Sequence, residues 1–596
     1  MRSRSADEDA GRARLWALSL AAALAGAALS FVFLDHPGIQ GTDDADIFLT
    51  YARNIVEGNG FVFVAGGPRV EGVTSLLWLL TAVAATALPG PPEPYLLAAA
   101  LALLAGTAYL TASLTALLLP DHVPPRYRRA CEYAAVLLLP ALPEFMAWTS
   151  LTLMDTGLWV FLILLAARGL VEEARGTPQT PRRRTAAALL VLGMVLTRPE
   201  SLVLVPGMIF VGWWASPTPD RHRLLAERLA IFAGAAGSLT LARLVYFGHP
   251  FPNTYYAKVP PALAARLKDG LAYWAGFARH HPILILPLLA GVVLSLGRRF
   301  GLSRFFQEGR GAPAKAQEAI TLVILLIFGV VVMTGGDYFP AYRFLQPATP
   351  LLLALGVSLV WSAVGSIRHE LASHHLLLKA AAVVAYAVFL GAQWKPATAS
   401  GAAVAELTRE FDIARRGRVM GAVLSRAMPR DARATVGVIT VGGFSYAYEG
   451  PTVDLMGLNW PEMAHARGDR SGVRNHAAFS PEVFWSSPPD IVLPELLSGP
   501  DDPGFRCARF TRRVLKDLLD SPRFLERYRP AHTPAGEGRL VSMFVRADWT
   551  PPPGLILETE AWRGCPTPRR PLSAPAPVSA PAPVSAPAPV SAPAPS

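Results

Sequence analysis

Residues 15–46 read LWALSLAAALAGAALSFVFLDHPGIQGTDDAD. The first part, Leu15 to Leu34, is apolar over the length that a helix needs to cross the hydrocarbon of a bilayer. This run is longer than the apolar core of a secretion signal, and we expect it to remain as the first membrane helix. Asp43, Asp44 and Asp46 follow at the expected membrane boundary, where acidic side chains are costly unless they have a role. The stretch therefore predicts a membrane helix followed by a functional acidic segment.

The composition of the 596-residue chain is that of a multi-pass membrane protein. Hydrophobic residues make up 52% and charged residues only 17%, and the apolar residues concentrate in about a dozen runs before residue 395. Some runs are too short to span, so we expect an α-helical membrane domain at 15–394 with about 11 transmembrane helices. The net charge of +11 would suggest nucleic acid as a partner of a soluble protein. Because the arginines fall mostly in short loops between apolar runs, we expect a lipid bilayer and no nucleic acid.

The positions of these arginines predict the orientation in the membrane. Four arginines precede the first run, so the N-terminal residues 1–14 are expected in the cytoplasm. With the other basic loops on the same side, the first outer loop at 35–74 and the region after 395 face outward. This scheme requires that one run between 75 and 119 does not cross, and the short run at 75–88 is the candidate.

The chain becomes a soluble mixture after residue 395, which predicts a small α/β domain at 395–550 outside the membrane. The pattern indicates one amphipathic helix and three short buried strands, at 402–428, Ala434–Val441, Asp490–Leu493 and Leu540–Val545.

The end of the chain has a different character. Residues 551–596 finish in repeats of Ser-Ala-Pro-Ala-Pro-Val, which cannot form a packed core, so we expect a disordered tail. One disulfide between Cys507 and Cys565 is compatible with the sequence, and three cysteines indicate the redox compartment only weakly.

The acidic segment is expected to open a helix that stops at Gly58-Asn59-Gly60. Helix capping is the simplest role for an acid at such a position, but it explains one carboxylate better than three. A carboxylate here could also accept a proton from an attacking hydroxyl. A second polar motif, Arg198-Pro199-Glu200, lies between two short apolar runs. Such breaks are tolerated at membrane depth where they line a cavity, so an outward-facing pocket is predicted.

The order of the polar motifs resembles the bacterial GT-C glycosyltransferases. Within them it is most similar to the arabinofuranosyltransferase-like branch, which contains the enzyme that adds terminal β-1,2 arabinofuranose in mycobacterial cell walls. The resemblance spans roughly residues 15 to 545. The motifs that carry it are Asp43-Asp44-Ala45 with Tyr51-Ala52-Arg53-Asn54, Val70-Glu71-Gly72, Met154-Asp155-Thr156, Leu196-Thr197-Arg198-Pro199-Glu200, Gly248-His249-Pro250 through Asn253 to Lys258, Gly336-Asp337-Tyr338 with Tyr342-Arg343, and Val453-Asp454-Leu455.

The resemblance implies an enzyme that transfers a sugar from a polyprenyl-phosphate donor to a cell-envelope glycan acceptor, with inversion, on the outer side of the cytoplasmic membrane. It implies an Asp base, Asp43 or Asp44, with Asp43 favoured. We expect no cofactor or metal, because Arg and Lys side chains alone can meet the lipid phosphate. Arg198, Lys258 and Arg343 are the embedded cations that suit a leaving phosphate. The remaining predicted substrate-binding residues are Glu71, Asp155, Glu200, Asn253, Tyr256, Asp337 and Tyr342, with Asp454 for the acceptor.

Several alternatives remain open from the sequence. Asp46, Asp155 and Ser201 depart from the family pattern, so a hexose is the alternative to arabinofuranose as the sugar. A divalent ion bound by Asp43, Asp44 and Glu200 is conceivable, but fixed cations can meet the phosphate without it. A lipid-linked-sugar flippase would also show broken helices and charges at membrane depth. A structural envelope-assembly protein would not need the acidic pair at all.

Overall fold

The computed structural model describes residues 2–34, 38–259, 262–300, 311–365, 403–466, 478–494, 509–536, 538–559 and 562–564. The apolar run at 378–394, the Cys507–Cys565 pairing and the repeats after 571 lie outside these residues. Helices of the N-terminal part are α1 (Arg2–Phe33), α2 (Asp43–Val56), α3 (Leu76–Thr86), α4 (Glu93–Leu118), α5 (Pro125–Leu138), α6 (Pro143–Met146), α7 (Thr156–Ala174), α8 (Pro181–Thr197), α9 (Ser201–Ala215), α10 (Arg221–Phe247), α11 (Asn253–Lys258), α12 (Leu263–His280), α13 (Pro282–Phe300), α14 (Ala312–Thr334) and α15 (Ala348–Gly365).

Among the described residues, five helices are long and apolar enough to cross a membrane, and a sixth span results if a helix pair bent by 83° near Leu142 counts as one. Three shorter apolar helices accompany them, at Leu76–Thr86, Ser201–Ala215 and Ala348–Trp361. The prediction of a helical protein with several apolar spans is confirmed, whereas the count of about 11 stays a prediction. The short helix α3 is about 16 Å long at 1.5 Å per residue, less than the hydrocarbon thickness.

The break between α8 and α9 follows from its sequence. Pro199 lacks a backbone N–H and disfavours the helical conformation at the residue before it. Arg198 accordingly has extended backbone angles, with φ −148° and ψ 143°. The helix therefore ends before Arg198, and the Arg198 side chain does not lie on the surface of α8.

The C-terminal part contains a six-stranded sheet, as the predicted α/β domain requires. The strand order is β2-β1-β3-β5-β4-β6; β1 pairs in parallel with β2 and β3, and the other pairs are antiparallel. Its elements are α16 (Ala403–Ala427), β1 (Val436–Val438), α17 (Val441–Ala447), β2 (Thr452–Asp454), α18 (Pro461–His465), α19 (Pro481–Ser486), β3 (Ile491–Leu493), α20 (Arg509–Val514), α21 (Pro522–Arg527), β4 (Tyr528–Gly536), β5 (Arg539–Arg546) and β6 (Ile556–Leu557).

Three of the six strands match the sequence expectation. The first is shorter than expected, because Val441 already begins α17. Strand β4 was missed since it contains Pro530 and Pro534, which normally argue against a strand. Strands β2 and β6 have only three and two residues, too few to show an alternating pattern.

The sheet domain packs directly on the acidic helix α2 through α16 and α17. Arg418 of α16 donates to both carboxylate oxygens of Asp46 and, at 2.6 Å, to Glu93 at the start of α4. Arg53 donates to the carbonyl oxygens of Tyr446 and Ser445. These contacts place the first outer loop between the helical part and the sheet domain.

Candidate active site

A cavity of about 300 Å³ lies where the acidic helix, the α8–α9 break and the sheet domain meet. Its walls come from the first turn of α2, the α8–α9 break, α11, the end of α14 and the turn at Arg343, and Leu458 of the sheet domain closes one side. Four cations and four acids line it in the described part of the chain. They are Arg198, Lys258, Arg266, Arg343, Asp44, Asp155, Glu200 and Asp337.

Asp44 is the acid of α2 that faces this cavity. Its Oδ2 lies 3.4 Å from Lys258 Nζ and 3.9 Å from Arg343 Nη1. The side chains of Asp44 and Lys258 are 14% and 22% exposed, so a ligand in the cavity can reach both. A carboxylate beside two cations can accept a proton, and it neutralises part of the charge of these cations.

Arg343 is fixed by a bidentate pair and by an unusual backbone. Its Nε and Nη2 donate to the two carboxylate oxygens of Asp337, at 2.7 and 3.1 Å. Ala341 and Tyr342 just before it have φ angles of 58° and 49°, in the left-handed region that costs non-glycine residues roughly 1 kcal/mol or more. The Tyr342 ring packs against α12, where a Cβ on Gly276 would lie 2.8 Å from its hydroxyl oxygen. The packing of this ring therefore restrains the backbone next to Arg343, while Asp337 fixes the Arg343 guanidinium.

Arg198 lines the same cavity near Arg343, since the two guanidinium groups lie 4.9 and 5.1 Å from the Phe344 ring. It donates to Glu200 at 3.0 Å, and its Nη1 lies 3.3 Å from Asp155 Oδ2. Two carboxylates thus orient one guanidinium whose apolar neighbour is the Phe344 ring, 4.9 Å away. The three cations predicted for a phosphate, Arg198, Lys258 and Arg343, all line this cavity.

Asp43 faces the sheet domain instead. Its two oxygens accept hydrogen bonds from the backbone N–H groups of Gly442 and Gly443, at 3.0 and 2.8 Å. Burial raises the pKa of Asp43 to about 7, although these two amides act in the opposite direction. The two glycines allow the contact, since a Cβ on Gly442 would lie 1.8 Å from the Asp43 carbonyl oxygen. Asp43 therefore joins two parts of the chain.

The other predicted residues divide into two groups. Asp155, Glu200 and Asp337 line the cavity, as described above. Glu71, Asn253, Tyr256, Tyr342 and Asp454 lie outside the lining formed by the described residues.

Two residues of the second group have well-defined buried partners. Glu71 forms a buried bidentate pair with Arg243, with Nε to Oε2 at 2.8 Å and Nη2 to Oε1 at 2.8 Å. Asn253 donates to the carbonyl oxygens of Gly457 and Leu458 at 2.8 and 2.9 Å. Both contacts shape the wall of the cavity, because Gly72 and Leu458 line it.

Asp454 and Tyr256 make contacts within and beside the sheet domain. Asp454 accepts from the backbone N–H groups of Met456 and Asn459, which is a turn-forming role. Burial raises the pKa of Asp454 to about 6. The Tyr256 ring lies 4.1 Å from the ring of His465, while the neighbouring Tyr255 lines the cavity.

Glu410 is a residue that the sequence analysis missed. It lies on α16 and is 7% exposed. Burial raises its pKa to about 8, and the carboxylates of Asp44 and Asp43 add to this rise. The sequence carried no local signal for it, because a single acid in an amphipathic helix is ordinary. Arg266 of the cavity wall was also missed, because a single arginine in a helix is equally ordinary.

Among the residues that the structure describes, no group of three or more His, Cys, Asp or Glu side chains is arranged to bind a metal ion. Asp43, Asp44 and Glu200, the conceivable metal ligands, have the separate partners described above. Their nearest charged or donor groups are Lys258, Arg198 and the two glycine amides.

Comparisons with known proteins give weak similarities only. A family model described as "Domain of unknown function (DUF8728)" matches residues 406–544, which cover most of the sheet domain. No curated protein matches the chain.

Among solved structures, the chain is similar to ArnT from Cupriavidus metallidurans in the apo state, with 13% identity, a TM-score of 0.49, and coverage of 89% of this chain and 97% of the other. ArnT from the same organism bound to undecaprenyl phosphate gives 12% identity, a TM-score of 0.47, and coverage of 89% and 98%. The Archaeoglobus fulgidus oligosaccharyltransferase in the apo form gives 12% identity, a TM-score of 0.47, and coverage of 90% and 76%. These values are too low to transfer residue roles, which are assigned below from the cavity of this chain.

Proposed function

We propose that this protein is a membrane glycosyltransferase of the GT-C type that uses a polyprenyl-phosphate sugar as donor. The observation that supports it most is the convergence of Asp44, Lys258 and Arg343 in one cavity that Arg198 also lines. Such a cavity contains a proton acceptor next to cations that suit a phosphate. The motif order in the sequence supports the same reaction class.

In the proposed reaction, the Asp44 carboxylate accepts the proton of an acceptor hydroxyl. The hydroxyl oxygen attacks the anomeric carbon of the donor sugar from the face opposite the phosphate. The bond between the anomeric carbon and the phosphate oxygen breaks, and the polyprenyl phosphate leaves with the electron pair. The configuration at the anomeric carbon is inverted.

The cations act on the leaving group. Negative charge grows on the phosphate as the bond breaks, and fixed cations stabilise that state more than the ground state. Lys258 suits a donor that arrives with its own charge, because its ammonium is partly exposed and its contact with Asp44 is long. Arg343 and Arg198 are fixed by Asp337 and Glu200, so they present a preorganised site.

We assign the base to Asp44, although the sequence favoured Asp43. Asp44 lines the cavity, whereas both oxygens of Asp43 accept hydrogen bonds from amides of the sheet domain. A base with both oxygens engaged in this way is poorly placed to reach an acceptor hydroxyl.

For the substrates, we propose arabinofuranose or a similar pentose as the sugar and a cell-envelope glycan as the acceptor. Both rest on the motif resemblance, and a hexose is the alternative. The reaction would take place on the outer side of the cytoplasmic membrane, with the N-terminus in the cytoplasm and the sheet domain outside, as the arginine distribution predicts.

The test uses the full chain, purified in lipid nanodiscs, with radiolabelled polyprenyl-phosphoryl pentoses and hexoses and an envelope glycan. We expect transfer from one donor class, and a loss of at least about 100-fold in rate for Asp44→Asn at unchanged thermal stability. Asp43→Asn is the comparison variant. It should lower thermal stability, because an amide side chain can accept from only one of the two glycine N–H groups, so a loss of transfer in Asp43→Asn comes with a loss of stability, whereas the loss in Asp44→Asn does not.

Two results would contradict the proposal. Full transfer by Asp44→Asn removes the assigned base. Absence of transfer from every donor, together with movement of the lipid-linked sugar across the bilayer of proteoliposomes, identifies a flippase instead.

A further inference from the structure

A second cavity, of about 500 Å³, lies between α7, α8, α9 and α10. Its lining runs along α8 from Arg182 to Met194. The charged residues are near the N-terminal end of α8, whereas Arg198 of the first cavity follows the C-terminal end, and since α8 has 17 residues these two ends are about 25 Å apart. The charged end of the second cavity is therefore at the other face of the helical part, which the arginine distribution predicts to be the cytoplasmic face.

The walls of this second cavity are apolar. Leu190, Val191 and Met194 of α8 face Val205 and Met208 of α9 across it. The neighbouring helix α10 has the length and hydropathy of a membrane span, and only 6% of its apolar window is buried inside the protein. Such an exposed apolar surface is expected to lie against hydrocarbon. Because α10 borders the cavity through Arg228, acyl chains of the bilayer would lie beside the cavity.

The rim of the second cavity is charged and has an excess of cations. Four arginines line it, Arg168, Arg182, Arg183 and Arg228, against two acids, Glu172 and Glu173. Glu172 pairs with Arg168 and Arg183 at 2.7 Å each, and Glu173 pairs with Arg228 at 2.7 Å. Four arginines against two acids leave a net charge of +2 at one end of the apolar cavity.

We propose that this second cavity is a binding site for one anionic glycerophospholipid of the surrounding bilayer. Its acyl chains would lie between α8 and α9, and its phosphate would contact Arg182 and Arg183. The apolar walls match the chains, and the two uncompensated charges match a headgroup with net negative charge better than a zwitterionic one. The site is separate from the first cavity and does not depend on the proposed reaction.

Two glycines allow a test in which folding is not at risk. Gly169 lines the second cavity, and a Cβ there would meet nothing within 4 Å. Gly169→Leu therefore places a side chain into the space for the acyl chains and replaces a poor helix former with a good one. Gly237→Leu is the matched control, because a Cβ at this glycine of α10 also meets nothing within 4 Å and Gly237 does not belong to the described lining.

The measurement is native mass spectrometry of the purified full chain after equilibration with equimolar phosphatidylglycerol and phosphatidylcholine in detergent. Wild type and Gly237→Leu should retain one phosphatidylglycerol in preference to phosphatidylcholine. Gly169→Leu should lose this retained lipid. Arg182→Gln should lower retention of phosphatidylglycerol about fivefold, the value of one cation next to an anionic headgroup, and leave phosphatidylcholine unaffected.

Retention of phosphatidylglycerol by Gly169→Leu at the wild-type level would overturn the proposal. Equal retention of the two lipids by wild type would also overturn it, because the excess charge of the rim would then select nothing. Thermal stability of each variant in lipid-free detergent, measured in parallel, separates a loss of the site from a loss of the fold.

Discussion

The contact between Asp43 and the start of α17 leads to a sharp prediction for Gly442→Ala. The added Cβ would lie 1.8 Å from the Asp43 carbonyl oxygen, so α17 must move away from α2 by more than about 1 Å. It has no room on its other side, because a Cβ on Gly443 would already lie 2.2 Å from the carbonyl oxygen of Ala414. The substitution should therefore break the two amide hydrogen bonds to Asp43.

The expected loss from Gly442→Ala is about 2–4 kcal/mol, from overpacking together with two hydrogen bonds to a carboxylate. In a fluorescence-monitored thermal unfolding experiment this should lower the apparent Tm by about 2–3 °C, because the unfolding entropy of a chain of this length is large. Sugar transfer should fall by up to about 100-fold, because a shift of about 1 Å in α2 misplaces the neighbouring Asp44.

The control for this prediction is Gly237→Ala, also in a helix but with nothing within 4 Å of its Cβ, which should be neutral or slightly stabilising. Wild-type Tm and activity in Gly442→Ala would refute the reasoning, since they would mean that the Asp43 contact does not join the sheet domain to α2.

Three further predictions concern residues around the cavity. Glu71→Ala leaves the Arg243 guanidinium buried without its partner and should cost about 3–5 kcal/mol in thermal unfolding; unchanged stability with a raised KM for the donor would support the substrate-binding role instead. Gly276→Ala should displace the Tyr342 ring and raise the KM for the donor at nearly wild-type Tm, and an unchanged KM would show that the ring does not position Arg343. Glu410 keeps its proton in the folded state up to a pKa of about 8, so its contribution should lower wild-type stability as pH rises from about 4.5 to 8, by at most about 1.4 kcal/mol per pH unit. Asp43 and Asp454, with pKa values of about 7 and about 6, add to this slope only at lower pH. Glu410→Gln should therefore reduce the slope of pH-dependent unfolding most clearly between about pH 7 and 8, and an unchanged slope there would contradict the burial of the carboxyl.

The parts of the site that could be predicted are those with local causes. The start of α2 at Asp43 follows from acids at the positive end of a helix, and the break at Arg198 follows from the proline after it. The three cations were found because they are embedded in motifs of an otherwise apolar region. Their gathering in one cavity then follows from the outward position that the arginine distribution predicts for all of them.

The parts that could not be predicted depend on distant partners. Asp43 and Asp44 are neighbours in sequence, but successive residues of a helix point about 100° apart, so only the packing of α2 determines which one meets the cavity. Glu71 meets an arginine 172 residues further along the chain, and no local pattern indicates such a pair. Glu410 is similar, because its surroundings come from α2 and the turn at Arg343.

The arrangement of Arg418 has a consequence for the order of events during synthesis. Asp46 and Glu93 are both buried and share this one cation, which follows Asp46 by 372 residues in the chain. At about 5–20 residues per second, a ribosome needs roughly 20–75 s to add that length. During this interval Asp46 and Glu93 have been synthesised but Arg418 has not. The contact of α2 with Arg418 can therefore form only after the segment with Arg418 has been made. The helices made early thus depend for one buried ion pair on a segment made at least 325 residues later.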